Sequence, residues 1–310
     1  MLDPETFLTE LYVRVDDFCN AAPPAAARPG PAAALSRSEV ITLAVFGQWG
    51  RFASERDFWR YADARLRGAF PRLPDRAQFN RQLRRHRDAV AAFALWLAGG
   101  LGAGAAPYEA VDGTAAPTRN AKRRGRGWLA GLADVGWSGR LGWYHGLHLL
   151  LVVDPAGAVT GWGVGPASAN DRALADALLA ARAAAAPGLP TAGRPASGVY
   201  AADTGFAGTD CQARWRADHG AEVVAPPQPD AGRAAAWPLA WRRWLAGRRQ
   251  IVERVIGRLQ GAFRLDRERP HDLAGFQARL AAKVGLHNFG VWLNRARGRP
   301  DLAFADLLGW

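Results

Sequence analysis

Cysteine and long apolar runs are both scarce in this sequence. Its 310 residues include two cysteines, Cys19 and Cys211, with no CxxC spacing and no Cys/His set, so neither a disulfide scaffold nor a structural zinc site is expected. The apolar run AAFALWLAGGLGAGAA, mostly Ala and Gly, is shorter than the ~20 residues that a membrane span needs. The opening residues, MLDPETFLTELY, carry acids where a signal peptide carries a basic region. These absences predict a cytoplasmic protein with no membrane partner.

Acidic residues are outnumbered by basic ones. The chain has 28 Asp and Glu against 40 Lys and Arg, a formal net charge of +12, and almost all of the positive charge is arginine. An arginine side chain presents a planar fork of N–H donors that suits phosphate oxygens. A genome rich in G and C would also raise arginine, together with the abundant Ala, Gly and Pro. The charge excess nevertheless favours a nucleic acid as the partner.

The first 105 residues have the patterning of helices. Ser36 and Glu39 form a capping box at the start of one helix, and Ser54 begins a second. Asp75 is the expected N-cap of a third helix, which runs through DRAQFNRQLRRHRDAVAAFALWLAGG with apolar residues at helical spacing. We therefore expect a small all-helical domain over residues 1–105.

Strands alternate with helices in the rest of the chain. The predicted order is three strands, helix, strand, helix, strand and a final helix, GRRQIVERVIGRLQGAF. The turn DPAG joins the second and third strands into an antiparallel hairpin. Residues 106–310 are thus expected to form a second domain of the α/β class, a mixed sheet flanked by helices.

Two of these strands end on an aspartate followed by a glycine turn. In YEAVDGTAAP, Asp112 follows the apolar residues that begin the run, and in VYAADTGFAG, Asp203 does the same. The third carboxylate of interest, Glu253, lies on the final helix one turn after Arg249, on a face separate from the buried stripe. Taken alone, Arg249 and Glu253 would form a surface ion pair of little energetic value. Two strand-end aspartates and a helix glutamate together are what a divalent-metal phosphoryl-transfer site needs.

The motifs around these acids resemble those of one family. VDGT around Asp112, ADTGF around Asp203 and RRQIVERVIGRLQ around Glu253, with PASANDRALAD between them, are similar to motifs of the DDE transposases of bacterial insertion sequences. The separations of 91 and 50 positions between the three acids fit that family. The segments LSRSEVITLAVFGQWG and FPRLPDRAQFNRQLRR resemble its leading region. The resemblance therefore covers most of the chain.

This resemblance implies an RNase H-like catalytic domain with a defined set of residue roles. Asp112, Asp203 and Glu253 would be catalytic and would bind Mg²⁺ or Mn²⁺, with two ions expected, and Arg249 would contact phosphate. The implied reaction is DNA cleavage at the ends of an insertion sequence followed by strand transfer into target DNA. The implied protein acts as a homodimer on DNA in the bacterial cytoplasm, at the nucleoid.

Three positions depart from the family pattern. Ala246 replaces a tyrosine three residues before Arg249, Gln260 replaces a basic residue after the glutamate, and Thr204 stands where many relatives carry lysine. These changes concern contacts with DNA ends more than the metal site.

Two basic segments are candidates for DNA binding. In NAKRRGRGW, basic residues alternate with an aromatic residue soon after the first strand, a pattern that can follow a phosphate backbone and stack on a base. Its candidate contacts are Lys122, Arg123, Arg124, Arg126 and Trp128. The second segment is the helix over residues 76–87, where Arg81, Arg84 and Arg85 either contact DNA or form a solvated face.

Other interpretations remain beside these. An aspartate-nucleophile phosphatase would need an acid two residues before Asp112, where Ala110 stands. His145 and His148 lie on opposite faces of one strand and are expected to be hydrogen-bonded structural residues. Asp171 is expected to cap its helix, a role that the neighbouring Asn170 could also fill. Two rival functions are an inactive or repurposed DNA-binding protein derived from a transposase and an RNase H-like nuclease that only hydrolyses.

Overall fold

The computed structural model describes residues 1–21, 33–119, 129, 131–184, 195–227 and 237–310. Within these ranges the α-helices are α1 (Pro4–Ala21), α2 (Arg37–Phe46), α3 (Glu55–Arg65), α4 (Arg76–Arg85), α5 (Arg87–Gly100), α6 (Asp171–Ala183), α7 (Thr209–His219), α8 (Leu239–Gln260) and α9 (Leu273–Ala296). The strands are β1 (Glu109–Arg119), β2 (Asp134–Ser138), β3 (Gly142–Val153), β4 (Val159–Pro166), β5 (Gly198–Ala201) and β6 (Ala221–Val224). No helix in the described part of the chain is both long and apolar enough to cross a membrane.

The N-terminal helices begin where their capping residues predict. Ser36 accepts a hydrogen bond from the Glu39 amide, and the Glu39 carboxylate accepts one from the Ser36 amide, which completes the capping box of α2. Ser54 and Asp75 cap α3 and α4. The third predicted helix is wrong in one respect, since the chain bends at His86 and forms two helices, α4 and α5. Each of the two buries its own apolar stripe.

One mixed sheet forms the second part of the chain, with β1 at its centre. β1 pairs antiparallel with β3 on one side and parallel with β5 on the other, and β6 extends the parallel part beyond β5. The predicted hairpin of β3 and β4 is confirmed. The sequence did not predict β2, which pairs with the first half of β3. Val135 and Trp137 of β2 are exposed, so this strand lacks the buried alternation that identifies most strands.

Helices cover both faces of the sheet, and the alternation of β1 assigns its residues to those faces. Ala110 of β1 lies in the same hydrophobic cluster as Val252 and Val255 of α8. Val111 lies in another cluster with Leu174 of α6. Because successive strand residues point to opposite faces, Asp112 shares the α8 face and Gly113 shares the α6 face.

The C-terminal helices differ most from the prediction. α8 begins at Leu239, eight residues before the predicted start, and it is followed by α9, which the sequence analysis did not predict. α9 is buried on nearly all sides, and a helix without a polar face lacks the one-sided apolar stripe that identifies amphipathic helices. The side chain of Asn288 on α9 hydrogen-bonds both backbone groups of Val159 on β4 and the Ala94 carbonyl on α5. This polar contact joins the N-terminal helices to the sheet.

A buried ion pair holds the start of β1. Arg182 of α6 donates to Glu109 at 2.7 Å, to the Tyr200 hydroxyl on β5 at 2.9 Å, and to the Thr160 carbonyl on β4 at 3.1 Å. Removing one partner of a buried pair typically costs about 3–5 kcal/mol, because the remaining charge is left unpaired. The pair therefore fixes β1, β4, β5 and α6 relative to one another.

The strand order, the pairing directions and the helices on both faces are those of the RNase H-like fold, preceded by a helical region. The expected fold class is thus confirmed. The boundary at residue 105 stays a prediction. One hydrophobic cluster contains residues of α1, α2 and α5 together with residues of β1, α8 and α9.

Candidate active site

Two neighbouring parallel strands bring Asp112 and Asp203 to the same region of the sheet. Ala110 on β1 is in register with Ala201 on β5, and each aspartate follows two residues later. The prediction that the first of these strands ends at Asp112 was wrong, since β1 stays paired with β3 beyond it and ends at Arg119. Asp203 lies just beyond β5, where its carboxylate accepts a hydrogen bond from the Gly205 amide at 2.8 Å. That contact is ordinary Asx-turn chemistry. The second oxygen of Asp203 lies 4.0 Å from Nη2 of Arg249 on α8.

Helix α8 brings Glu253 and Arg249 to these aspartates. Val252, Val255 and Leu259 bury one side of the helix, and this packing against the sheet sets its rotation. Arg249 and Glu253 are four residues apart and therefore lie one above the other on the same face. The polar face that was predicted from their spacing is the face that contacts β1 at Asp112.

The three carboxylates converge on a single guanidinium nitrogen. Nη2 of Arg249 lies 3.2 Å from Oδ2 of Asp112, 4.0 Å from Oδ2 of Asp203 and 3.9 Å from Oε1 of Glu253. The side chains form a gradient of exposure: Asp112 is 18% exposed, Asp203 37% and Glu253 56%. The structure thus brings together all four residues that the sequence singled out for phosphoryl transfer. Their cluster has a buried end at β1 and an open end at α8.

The buried end is electrostatically strained. Burial raises the pKa of Asp112 to about 6, and the neighbouring carboxylates of Asp203 and Glu253 also raise it, against the lowering effect of Arg249. Both neighbouring carboxylates repel the charge on Asp112. Arg249 is the cation that offsets this repulsion.

The donor chemistry of the cluster fits a divalent metal ion. Its three side chains offer carboxylate oxygens alone, which hard cations such as Mg²⁺ and Mn²⁺ prefer. As placed, the acids are grouped around Arg249, and the described residues contain no set of three or more His, Cys, Asp or Glu side chains spaced to share one ion. The guanidinium supplies positive charge among the carboxylates. Its Nε atom is buried and has no hydrogen-bond acceptor among the described residues, so these acids do not fully satisfy it.

A fourth carboxylate lies beside the cluster on the opposite face of β1. Asn170 caps α6 by accepting from the Ala173 amide, so the assignment of Asp171 as the cap was wrong. Asp171 instead contacts His148 of β3, with Oδ1 at 2.9 Å from Nε2. His148 is thus a hydrogen-bonded residue as predicted, but it lies at the site.

The two glycines that follow the aspartates make room for Asp171. A Cβ at Gly113 would lie 2.0 Å from Oδ1 of Asp171, and a Cβ at Gly205 would lie 2.9 Å from its Oδ2. Arg172 of α6 donates to the Gly205 carbonyl at 3.2 Å. The start of α6 therefore supports the backbone on which Asp112 and Asp203 stand. The Asp-Gly pair in VDGT was the sequence signal for this close approach.

The structure explains one of the three positions that depart from the family pattern. Gln260 is buried and donates to the Thr114 hydroxyl at 2.7 Å, so it ties α8 to β1 and does not face solvent. Ala246 and Thr204 are exposed, one on α8 and one in the turn after β5. Nothing in the structure explains the choice of residue at these two positions.

The candidate DNA contacts other than Arg249 lie on α4 or outside the described residues. Lys122, Arg123, Arg124, Arg126 and Trp128 fall in the part of the chain that is not described. Arg81 and Arg84 line a cavity beside α4, and Arg84 pairs with Asp272 at 3.5 Å. Arg85 is exposed on the same helix. The role of all these residues in DNA binding stays a prediction.

The raised pKa of Asp112 can be measured directly. Carboxyl ¹³C NMR on the metal-free protein should give a titration midpoint of about 6 for Asp112. Arg249→Gln should raise this midpoint, because it removes the cation that favours the charged form. Since the native pKa lies above the unfolded value, the proton stabilises the native state, and that stabilisation is lost as the pH rises through about 6.

Arg254→Gln is the matched control for this titration. Arg254 is exposed on the same helix and donates to Gln250, so its loss should leave the Asp112 midpoint unchanged. A midpoint near the ordinary aspartate value, or one that Arg249→Gln does not move, would contradict the electrostatic description of the site.

The close approach of Asp171 to β1 can be tested by a double-mutant cycle. Gly113→Ala should destabilise the protein by about 1–3 kcal/mol, because its new Cβ overlaps the Asp171 carboxylate and also comes too close to Nε2 of His148. The same change should cost less in an Asp171→Ala background, with a coupling energy of about 1 kcal/mol or more in thermal or urea unfolding. Gly99→Ala, which meets no atom within 4 Å, is the control. Additive effects of the two changes would show that Asp171 and Gly113 are not in contact.

Comparison with known proteins agrees with this geometry. No curated protein and no solved structure matches the chain. The family model described as "Transposase DDE domain" matches residues 109–289, more than half of the sequence and a range that contains Asp112, Asp203, Arg249 and Glu253. The matched range begins at the first residue of β1 and ends within α9. The chain belongs to the transposase DDE domain family.

Proposed function

We propose that this protein is an insertion-sequence transposase that cuts DNA at the ends of its element and transfers the freed ends into target DNA. Membership of the family indicates a nucleic-acid phosphoryl-transfer enzyme with DNA as the substrate and activity related to transposition. The observation that carries the finer proposal is the convergence of Asp112, Asp203 and Glu253 on Arg249.

The three acids would act as metal ligands. The family generally uses divalent ions. Asp112, Asp203 and Glu253 would hold Mg²⁺ or Mn²⁺, with two ions proposed, and bound metal would activate water and stabilise the leaving oxygen. Because phosphoryl transfer needs little covalent help from a protein, the residues of this chain act mainly by positioning and by neutralising charge.

Arg249 would pair first with the three carboxylates and then, when DNA is bound, with a phosphate. Without a ligand it balances the repulsion among the three carboxylates. A guanidinium also pairs well with phosphate. Because Nε of Arg249 has no acceptor among the described residues, it can donate a hydrogen bond to a phosphate oxygen. We propose that Arg249 contacts the phosphate at which the DNA strand is cut.

The finer features of the partners are part of the same proposal. The active complex is a homodimer that holds two element ends and target DNA, and the protein acts at the bacterial nucleoid in the cytoplasm. The basic segment with Lys122, Arg123, Arg124, Arg126 and Trp128 contributes to DNA binding, together with Arg81, Arg84 and Arg85 of α4.

Nicking of DNA by the purified protein tests the proposal. The substrate is a supercoiled plasmid that carries the element ends, in Mg²⁺ or Mn²⁺. Asp203→Ala should reduce nicking by about 100-fold or more, the scale of losing a principal transition-state contact. Binding in a gel shift should persist, because the arginine surface is intact. Asp210→Ala, which removes an exposed acid from α7, should change neither result.

The outcomes separate the proposal from its rivals. Nicking by the Asp203→Ala protein would refute the assignment of the three acids. DNA binding by the wild type without any nicking would indicate an inactive DNA-binding protein. Nicking without joining of pre-cut 3′-hydroxyl ends to target DNA would indicate a nuclease that only hydrolyses.

A further inference from the structure

A large cavity lies apart from the carboxylate cluster. It has a volume of about 810 Å³ and separates α4 from the segment that joins α8 to α9. The end of α2 forms part of its wall through Leu43 and Ala44, and the segment after α2 contributes Trp49 and Phe52. Asp112, Asp203 and Glu253 do not line it. The cavity is therefore a separate site that the phosphoryl-transfer chemistry leaves without a role.

The lining of this cavity is strongly basic. Eight Lys or Arg side chains line it against three Asp or Glu side chains. The three acids are already paired with lining cations: Glu55 with Arg76, Asp272 with Arg84, and Glu268 with both Arg279 and Lys283. In the described part of the chain, no carboxylate pairs with Arg81, Arg264 or Arg267. These three guanidiniums leave uncompensated positive charge facing the cavity, which favours an anionic ligand.

Arg264 lines the cavity from an unusual backbone conformation. Its φ of 58° and ψ of 32° lie in the left-handed region, which residues other than glycine seldom adopt. A glycine would take this conformation without strain. Strained backbone of this kind clusters at functional sites, which favours a role for the Arg264 side chain.

Two contacts connect the lining of the cavity with the strand that carries Asp112. Gln260, three residues before the first lining residue of this segment, hydrogen-bonds Thr114 on β1. Arg269, which lines the cavity, lies 3.5 Å from the carbonyl of Pro117 on the same strand. The wall of the cavity and the carboxylate cluster are therefore held by one strand.

We propose that this cavity is a DNA-binding groove in which Arg81, Arg264 and Arg267 hold the phosphate backbone at a distance from the bond that is cut. This inference rests on the proposed function for its choice of polyanion. The groove joins the predicted DNA contacts on α4 to Arg264 and Arg267, which no sequence motif identified. Its role is to fix the register of the duplex relative to the carboxylates, since phosphate contacts position a protein on DNA without reading its sequence.

Salt dependence of binding tests the groove without knowledge of the element's terminal sequence. The probe is a fluorescein-labelled 40-bp duplex of arbitrary sequence, titrated by anisotropy with full-length protein at several NaCl concentrations. The groove variant combines Arg81→Ala, Arg264→Gly and Arg267→Ala. Each lost phosphate contact reduces the slope of log affinity against log salt by about 0.9, so the slope should fall by roughly two to three units.

A second triple variant separates the groove from net charge. Arg67→Ala, Arg216→Ala and Arg297→Ala also remove three positive charges, but these arginines lie outside the cavity and pair with Asp63, Glu222 and Glu10. Their loss should leave the slope within half a unit of the wild type. Thermal unfolding verifies that both variants fold. The glycine at position 264 relieves strain, so this substitution should not lower the midpoint.

Two results would contradict the proposal of a DNA-binding groove. In the first, the groove variant has the same salt slope as the wild type. In the second, the salt slope falls equally in the two triple variants. Either result is independent of the proposed function, because wild-type nicking and its loss in Asp203→Ala are measured separately. If the groove slope falls as expected while the wild type does not nick, the groove stands and the cleavage proposal fails.

Discussion

Mutual repulsion among three carboxylates is the constraint on which this site depends. Asp112, Asp203 and Glu253 come within 4.0 Å of one guanidinium nitrogen, and burial makes the Asp112 charge costly as well. Acids are brought together in this way only where a cation compensates them. Arg249 compensates them in the structure, and a divalent ion would do so in the reaction. On the proposed function, the same charge arrangement would also favour binding of a metal ion.

The rest of the fold holds these groups against that repulsion from two sides. On one face of the sheet, the buried stripe of α8 sets the position of Arg249 and Glu253. On the other face, α6 supports the Gly113 and Gly205 backbones through Asp171 and Arg172. The Glu109–Arg182 pair joins α6 to the start of β1. Rigid elements on both faces give the preorganisation that a site acting by positioning requires.

The sequence predicted what local chemistry controls. The caps at Ser36, Ser54 and Asp75 and the end of β5 just before Asp203 depend on neighbouring residues, and family resemblance supplied the link to Glu253. The predicted strand end at Asp112 was wrong, because pairing with β3 continues the strand past the Asp-Gly pair. Tertiary packing decided the remainder. α9 has no polar face to reveal it, and β2 is paired but outwardly apolar. The contact of Asp171 with His148 joins residues 23 positions apart, so a cap and a structural histidine were the natural local interpretations. The groove arginines Arg264 and Arg267 follow no motif, because the cavity exists only after α4 packs beside the α8–α9 connection.

The central claim is that the acids around Arg249 form a metal site for phosphoryl transfer. Crystals of the protein bound to DNA in Mn²⁺, with diffraction recorded at the manganese absorption edge, test it most directly. The account predicts anomalous peaks within about 2.2 Å of carboxylate oxygens of Asp112 and Asp203. Glu253 should bind the same ions, and Arg249 should be turned to a DNA phosphate. Ordered DNA at this edge of the sheet with no anomalous peak, and with Arg249 still held by the three carboxylates, would contradict it.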